Sequence, residues 1–453
     1  MSLNPVAIHS SGLRIGREDN KLRPEDRTAH DWYRFVLSFP PHLVRDYVER
    51  FGISSRKRVL DPFCGTGTTL VECKKLGIPC VGIEANPIAR FASRVKVEWD
   101  LDPDRVLTHA NEIARLTLEK LEAEGIEDEE SPPLFSTHRR PTAALRTLPP
   151  ETSKLLLRNS ISPLPLHKAL TLLQTLEEQE DERFNQHERL ALAKAIVFGA
   201  SNLEFGPEVG VGPAKPDAPV VRPWLNAIQA MAEDLRGLRA KAAVSAVVHE
   251  ADSRYLQKVL EPNSVDAVIT SPPYPNEKDY TRTTRLESVL LGLIRSKSDL
   301  RSLKQNLIRS NTRGVYKEDC DDLLVAGHEE IQRIADAIEK RRKKLGKTSG
   351  FERLYARVTK LYFGGMARHL SELRGVLRAG ANLAYVVGDQ ASYLRVMIRT
   401  GQLLADIARS LGYEVLGIDL FRTRLATATK EQLREEVVLL RWPGKKTFQG
   451  PTS

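Results

Sequence analysis

The first clear rhythm along the chain comes just after Pro40–Pro41. Apolar side chains at Leu43, Val44, Tyr47 and Val48 alternate with charged ones at helical spacing, which predicts an amphipathic helix leaving a proline-led loop. Residues 56–89, RKRVLDPFCGTGTTLVECKKLGIPCVGIEANPIA, then read strand (Arg58–Leu60), glycine-containing loop (Asp61–Gly67), helix (Thr68–Leu76), strand (Cys80–Ile83) and a loop opening another helix. A βαβ unit of this kind implies a parallel sheet with a right-handed crossover.

Residues 105–245 change character. Leu, Ala, Glu and Arg recur there at helical spacing, broken by the proline-rich loops DEESPPLF and GPAKPDAPVVRP, so the stretch reads as a mostly helical insertion. The α/β pattern resumes near Val247, with a strand running into Ala251–Asp252–Ser253 and another at Val265–Thr270. That second strand must stop at Pro272–Pro273, because proline fixes φ and cannot donate to a ladder. A second helical, charged stretch covers about 285–350. The closing region predicts a helix over 365–378, a strand Asn382–Val387 ending at Gly388–Asp389, a helix near 396–411 and a final strand Glu436–Arg441. The expected parts are an α/β domain contributed by 1–104, 246–284 and 356–453, interrupted by insertions at 105–245 and 285–355. No internal repeat or extended low-complexity tract is visible.

Composition changes this picture little. A chain of 453 residues with 41% apolar and 28% charged content is ordinary for a globular protein of two or three domains, or of one domain with insertions. The N-terminal stretch lacks a signal pattern and no apolar run is long enough to cross a bilayer, so a cytoplasmic protein is expected. Cys64, Cys73, Cys80 and Cys320 show no paired spacing, which argues against a disulfide framework and a zinc site, and no metal is expected. The net charge of +9 is compatible with a polyanionic partner without requiring one.

The chemistry gathers at two places. DPFCGTGTT follows a strand and opens a helix; Gly65 and Gly67 let a ligand approach the main chain. No Gly-Lys-Ser/Thr follows, so it is not a Walker loop, and the third glycine of a dinucleotide fingerprint is absent. Alone it reads as a tight turn with an Asp cap. Asp61 at one strand end can accept from an ammonium group, and Glu84 at the next strand end from two ribose hydroxyls. A nucleoside carrying an amino acid fits both, which points to S-adenosylmethionine. The second place is Ser271-Pro272-Pro273-Tyr274, which alone is equally a strand terminator. In the same crevice as the glycine loop it gains a use. An exocyclic amine is a poor nucleophile, and acceptors aimed at its hydrogens stabilise the charge that grows during methyl transfer. Ser271 Oγ and the Pro272 carbonyl can be those acceptors, with Tyr274 as a face for an extruded base.

DPFCGTGTT followed by TSPPY resembles the amino-methylating DNA methyltransferases, which make N4-methylcytosine or N6-methyladenine. FPPHLVRDYVERF is similar to that family's segment at the methionine end of the cofactor. The resemblance covers about 30–95, 247–285 and 360–442. It implies the class I S-adenosylmethionine-dependent methyltransferase fold, a Rossmann-like, seven-stranded, mostly parallel sheet, here with large helical insertions. It also implies that Asp61, Phe63, Gly65, Gly67, Glu84 and Asp252 contact S-adenosylmethionine, with Asp252 on its adenine, and that Ser271, Pro272, Pro273 and Tyr274 form the catalytic corner. Ser at the first corner position is associated with cytosine N4. The partners implied are double-stranded DNA with a flipped base and a cognate restriction endonuclease. Adenine N6 methylation, RNA or tRNA guanine-N2 methylation, and a non-catalytic DNA-binding or specificity subunit are the alternatives. Pro79–Cys80 resembles the Pro-Cys of cytosine C5 enzymes, but it begins a strand rather than a catalytic loop.

With DNA in view, Lys340, Arg341, Arg342 and Lys343 are expected either to contact phosphates or to form a solvated helix end. Arg282 and Arg285 are expected to position phosphate or to make surface salt bridges. The loop at 201–210, with Asn202 and Phe205, can reach bases or simply fold the insertion. His30 and Trp32 frame the cofactor mouth or pack in the core.

Overall fold

The structure is a computed structural model that describes residues 8–10, 22–34, 38–128, 144–206, 208–276, 278–425 and 432–444. The DEESPPLF loop from Glu129 onward, Pro207 and Glu277 lie outside the described residues.

Among the described residues there are ten strands: β1 (Ile8–Ser10), β2 (Val59–Asp61), β3 (Cys80–Ile83), β4 (Leu203–Phe205), β5 (Val209–Val211), β6 (Ala246–His249), β7 (Val265–Thr270), β8 (Leu377–Gly388), β9 (Glu414–Leu425) and β10 (Gln432–Arg441). The helices are α1 (Pro41–Arg50), α2 (Thr68–Lys75), α3 (Pro87–Lys96), α4 (Pro103–Ala123), α5 (Pro150–Ser153), α6 (Pro163–Glu178), α7 (Asn185–Ala195), α8 (Val221–Leu238), α9 (Tyr280–Thr283), α10 (Arg285–Leu290), α11 (Lys297–Gln305), α12 (Glu329–Lys344), α13 (Tyr355–Val376) and α14 (Thr400–Ser410).

One sheet organises the molecule, in the order β1-β9-β10-β8-β7-β2-β3-β6. Neighbours among β8, β7, β2, β3 and β6 pair in parallel, while β10 runs antiparallel to both β8 and β9. The seven-stranded, mostly parallel sheet implied by the resemblance is therefore present. Three-residue β1 extends it at one edge beside β9.

Both faces are covered, so the strands are apolar on both sides. Val59, Ala267 and Ile269 join the core beneath α1–α4 and α6–α8, and their neighbours Leu60 and Val268 join the core beneath α12–α14. The first inserted segment has no separate core, since Val106, Leu172 and Trp224 belong to the same cluster as Val59.

The chain adds β3 and β6 on one side of β2, then returns to add β7 and β8 on the other. That reversal between β2 and β7 is where a crevice opens at the strands' carboxyl ends.

The structure differs from the sequence expectations at three elements. The long β9 was not anticipated, because Gly417 and buried Asp419 interrupt its apolar alternation; pairing with β10 along its length holds it extended. The hairpin β4–β5 sits inside the segment expected to be helical. Helix α13 starts at Tyr355, ten residues ahead of the helix expected over 365–378, and continues through Gly364–Gly365. A Cβ at Gly364 would lie 1.9 Å from the Asp321 carbonyl oxygen, so this glycine admits a close backbone approach. Among the described residues no helix is long and apolar enough to cross a membrane.

Candidate active site

The carboxyl ends of β2 and β7 meet through one hydrogen bond. Thr270 Oγ1 donates to Asp61 Oδ1 at 2.5 Å, and the Phe63 amide donates to the same oxygen at 3.1 Å. Asp61 Oδ2 is buried and has no hydrogen-bond partner. Burial pushes the Asp61 carboxyl up to about 6, against the pull of these hydrogen bonds. A donor cation placed against Oδ2 would satisfy it, which is what the ammonium end of S-adenosylmethionine offers.

The glycine loop follows. Gly65 and Gly67 take φ of +51° and +87°, in the left-handed region. A Cβ on Gly65 would meet open space, whereas one on Gly67 would lie 3.0 Å from Ser93 Cβ. Gly67 thus serves the close packing of α2 on α3. The Gly65 amide donates to Glu84 Oε2 at 2.8 Å and the Asn86 amide to Oε1 at 2.7 Å. The half-buried Glu84 carboxyl is pushed up to about 7, chiefly by desolvation. A small, open hollow beside the loop is lined by His30, Ser38, Phe39, Thr66, Thr68 and Lys96. His30 there is buried and bonded to Glu72 at 2.8 Å. Trp32 is buried too, its indole donating to Asp234 at 2.7 Å, so it packs in the core.

Asp252 lies past the end of β6. Both its oxygens accept from the Arg254 guanidinium, the shortest contact being 2.6 Å. Next to it, the Ser253 carbonyl accepts from His369 Nδ1 at 2.8 Å, and His369 Nε2 accepts from the Tyr385 hydroxyl at 2.7 Å. Phe63 meets the His369 ring edge-on, centroids 4.9 Å apart. Burial holds His369 down at about 4, neutral at physiological pH.

The prolyl corner is held from several sides. Ser271 Oγ donates to the Val386 carbonyl at 3.1 Å, which commits its only proton and leaves lone pairs as acceptors. The Tyr274 carbonyl accepts from the Asn276 amide at 2.8 Å, and burial raises the nearby Tyr280 phenol to about 12. A Cβ on Gly388 would fall 2.9 Å from Tyr274 Cε2, so the ring rests on the main chain at the end of β8. Pro272 is buried and Pro273 half-buried.

The predicted nucleic-acid contacts separate. Arg285 requires correction: it is buried, donating to the Thr281 carbonyl at 2.9 Å, Thr281 Oγ1 at 3.1 Å and the Leu155 carbonyl at 3.3 Å. A guanidinium committed to internal oxygens does not face a phosphate. Arg282 on α9 is half-buried. On α12, Lys340, Arg341 and Lys343 are exposed, whereas Arg342 is clasped by Glu339 at 2.7 Å through two nitrogens. This end of α12 leads to Phe351, which lies under Arg313, and neighbouring Asn311 donates to the Lys278 carbonyl in the corner loop at 3.0 Å. Among the described residues no group of three or more His, Cys, Asp or Glu is arranged to hold a metal ion.

Sequence reasoning missed Thr270, Tyr280, His369 and Arg254, and it placed Gly388 at a strand end without giving it a use. Thr270 and Tyr280 adjoin the corner and were open to notice. His369, Gly388 and Arg254 acquire their places only through tertiary packing.

The DNA methylase family model of N6- and N4-acting enzymes matches residues 17–91. The Type II methyltransferase M.BsoBI of Geobacillus stearothermophilus is 27% identical over 455 residues, covering 92% of this chain and 85% of its own. The Type II methyltransferase M.AvaI of Nostoc sp. is 25% identical over 475 residues, covering 97% of this chain and 91% of its own. A crystal structure of TrmN from Thermus thermophilus aligns at TM-score 0.31 and 10% identity, over 93% of this chain and 54% of that one.

Proposed function

We propose that this chain, a member of the amino-methylating DNA methyltransferase family, methylates cytosine N4 at a specific site in duplex DNA. The observation that carries the reading is the Thr270–Asp61 hydrogen bond. It ties the residue just before the corner to the carboxylate that opens the glycine loop, so methyl donor and acceptor amine would meet between them.

S-adenosylmethionine, the methyl donor of the family, supplies an electrophilic methyl group. Asp61 would hold its ammonium group, the Gly65 main chain its close approach, Glu84 its ribose hydroxyls, and Phe63 and Asp252 its adenine. The remaining work falls to the corner. Ser271 Oγ, its proton held by Val386, accepts from the target amine, and the Pro272 carbonyl accepts from the other hydrogen. Both oxygens stabilise the positive charge that develops on the nitrogen. Tyr274, seated on the main chain at Gly388, gives the extruded base a stacking face. No covalent nucleophile is used.

Ser271 at the first corner position favours cytosine over adenine. The inserted segments 105–245 and 285–355 would grip the duplex, with Lys340, Arg341 and Lys343 on phosphates and Arg282 beside the crevice. Relatives named as Type II methyltransferases along nearly the whole chain support a restriction-modification setting with a cognate endonuclease, and speak against an RNA substrate. Transfer of labelled methyl groups to duplex DNA and not to RNA, followed by identification of the modified nucleoside, tests the reading.

A further inference from the structure

Arg254 is an arginine with few reasons to be where it is. It is 6% exposed and lies two residues beyond the carboxylate assigned to the cofactor's adenine. Nε and Nη2 take the Asp252 carboxylate fork-on, at 3.0 and 2.6 Å. Nη1 donates to Asp321 Oδ2 at 2.8 Å, and Nη2 also donates to the Gln305 carbonyl at 2.8 Å. Asp321 and Gln305 both belong to the second inserted segment, 285–355. Asp321 is itself held: its Oδ1 accepts from Arg368 Nε on α13 at 2.7 Å. Its carbonyl presses onto α13 at the place where only glycine, Gly364, leaves room.

We propose that Arg254 and Asp321 are positioning residues through which the second inserted segment orients the Asp252 carboxylate toward the adenine amino group of S-adenosylmethionine. The inference rests on the reading of Asp252 as the adenine acceptor. The line of support runs from the α13 backbone through the turn at Asp321 to Arg254 and on to Asp252. A carboxylate gripped fork-on by a guanidinium is an acceptor with its direction fixed. An oriented acceptor distinguishes a 6-amino purine, which donates, from a 6-oxo purine, which does not. A guanidinium released by Asp321 keeps its hold on Asp252 but loses the anchor that sets the angle of the pair. On this account an element otherwise suited to gripping DNA completes the cofactor site, and adenine selectivity depends on it.

The test uses the full chain and two ligands, S-adenosylhomocysteine and its inosine counterpart, with affinities from calorimetry. The wild type is expected to prefer the adenine ligand by about ten- to a hundredfold, the range for a hydrogen bond to a charged acceptor. Asp321→Asn should shrink that preference about tenfold, and Asp252→Asn should abolish it. Equal weakening of both ligands by Asp321→Asn, with the preference intact, overturns the positioning role and leaves only a packing one. A preference that survives Asp252→Asn rejects the adenine assignment itself, whatever Asp321→Asn does. Should Asp321→Asn not fold, Arg368→Gln removes Asp321's second partner without touching Arg254. It is expected to shrink the preference in the same direction, and an unchanged preference in that variant overturns the proposal.

Discussion

Tyr274 separates binding from chemistry more cleanly than any other side chain at the site. Its ring rests on the main chain at Gly388, at the end of β8. Tyr274→Ala should therefore lower kcat/KM for DNA about ten- to a hundredfold, the worth of stacking one base, with cofactor affinity within about twofold of wild type. Equal losses in the two quantities would remove the stacking role. The two cofactor carboxylates make a second statement, in protons. Asp61 stands at about 6 and Glu84 at about 7, both raised above their ordinary values by burial. For the ligand-free fold the sign follows: whatever stability these groups contribute is present at about pH 4 and below, and is lost as pH rises through 6 and 7. Donors from the cofactor reverse the shift, because they favour the ionised forms. Binding of S-adenosylhomocysteine near pH 6.5 should then release protons, and affinity should rise between about pH 5.5 and 7.5. Titration calorimetry in buffers of different ionisation enthalpy reads this directly, and proton uptake would contradict it. The residues behind both predictions were legible in the sequence, because each sits at or just past the end of an apolar strand run. Arg285 was misread for the same reason in reverse: its place after the corner suggested the surface, while α10 turns it inward onto Thr281 and Leu155.

At the level of elements, α13 shows where periodicity misleads. Two adjacent glycines look like a helix end, yet the helix runs through them because the turn at Asp321 needs the space. Gly364→Ala should lower stability by about 1–3 kcal/mol, the usual cost of overpacking, seen as a lower denaturant midpoint. An unchanged midpoint would mean the contact is slack. The parallel strands β2, β3 and β7 could be read from sequence because both faces are buried and their apolar runs are nearly unbroken. Strand β9 could not, since its Asp419 is buried against Tyr47 and Arg50, partners far away in the chain. Hairpin β4–β5 is three residues a side and leaves no period to detect.

At the scale of the whole molecule, the topology brings segments far apart in sequence to one crevice. Net charge of +9 says only that a polyanion would be attracted; the exposed end of α12 is the place proposed for it. Replacing Lys340 and Arg341 together by Glu should weaken DNA binding at all sequences and reduce the slope of log affinity against log salt by about 2. Arg285→Ala should leave that slope alone and lower stability instead. The central claim concerns the product. Duplex DNA incubated with the protein and S-adenosylmethionine, then digested to nucleosides and read by mass spectrometry, should contain N4-methylcytosine. N6-methyladenine as the sole new nucleoside would contradict the account.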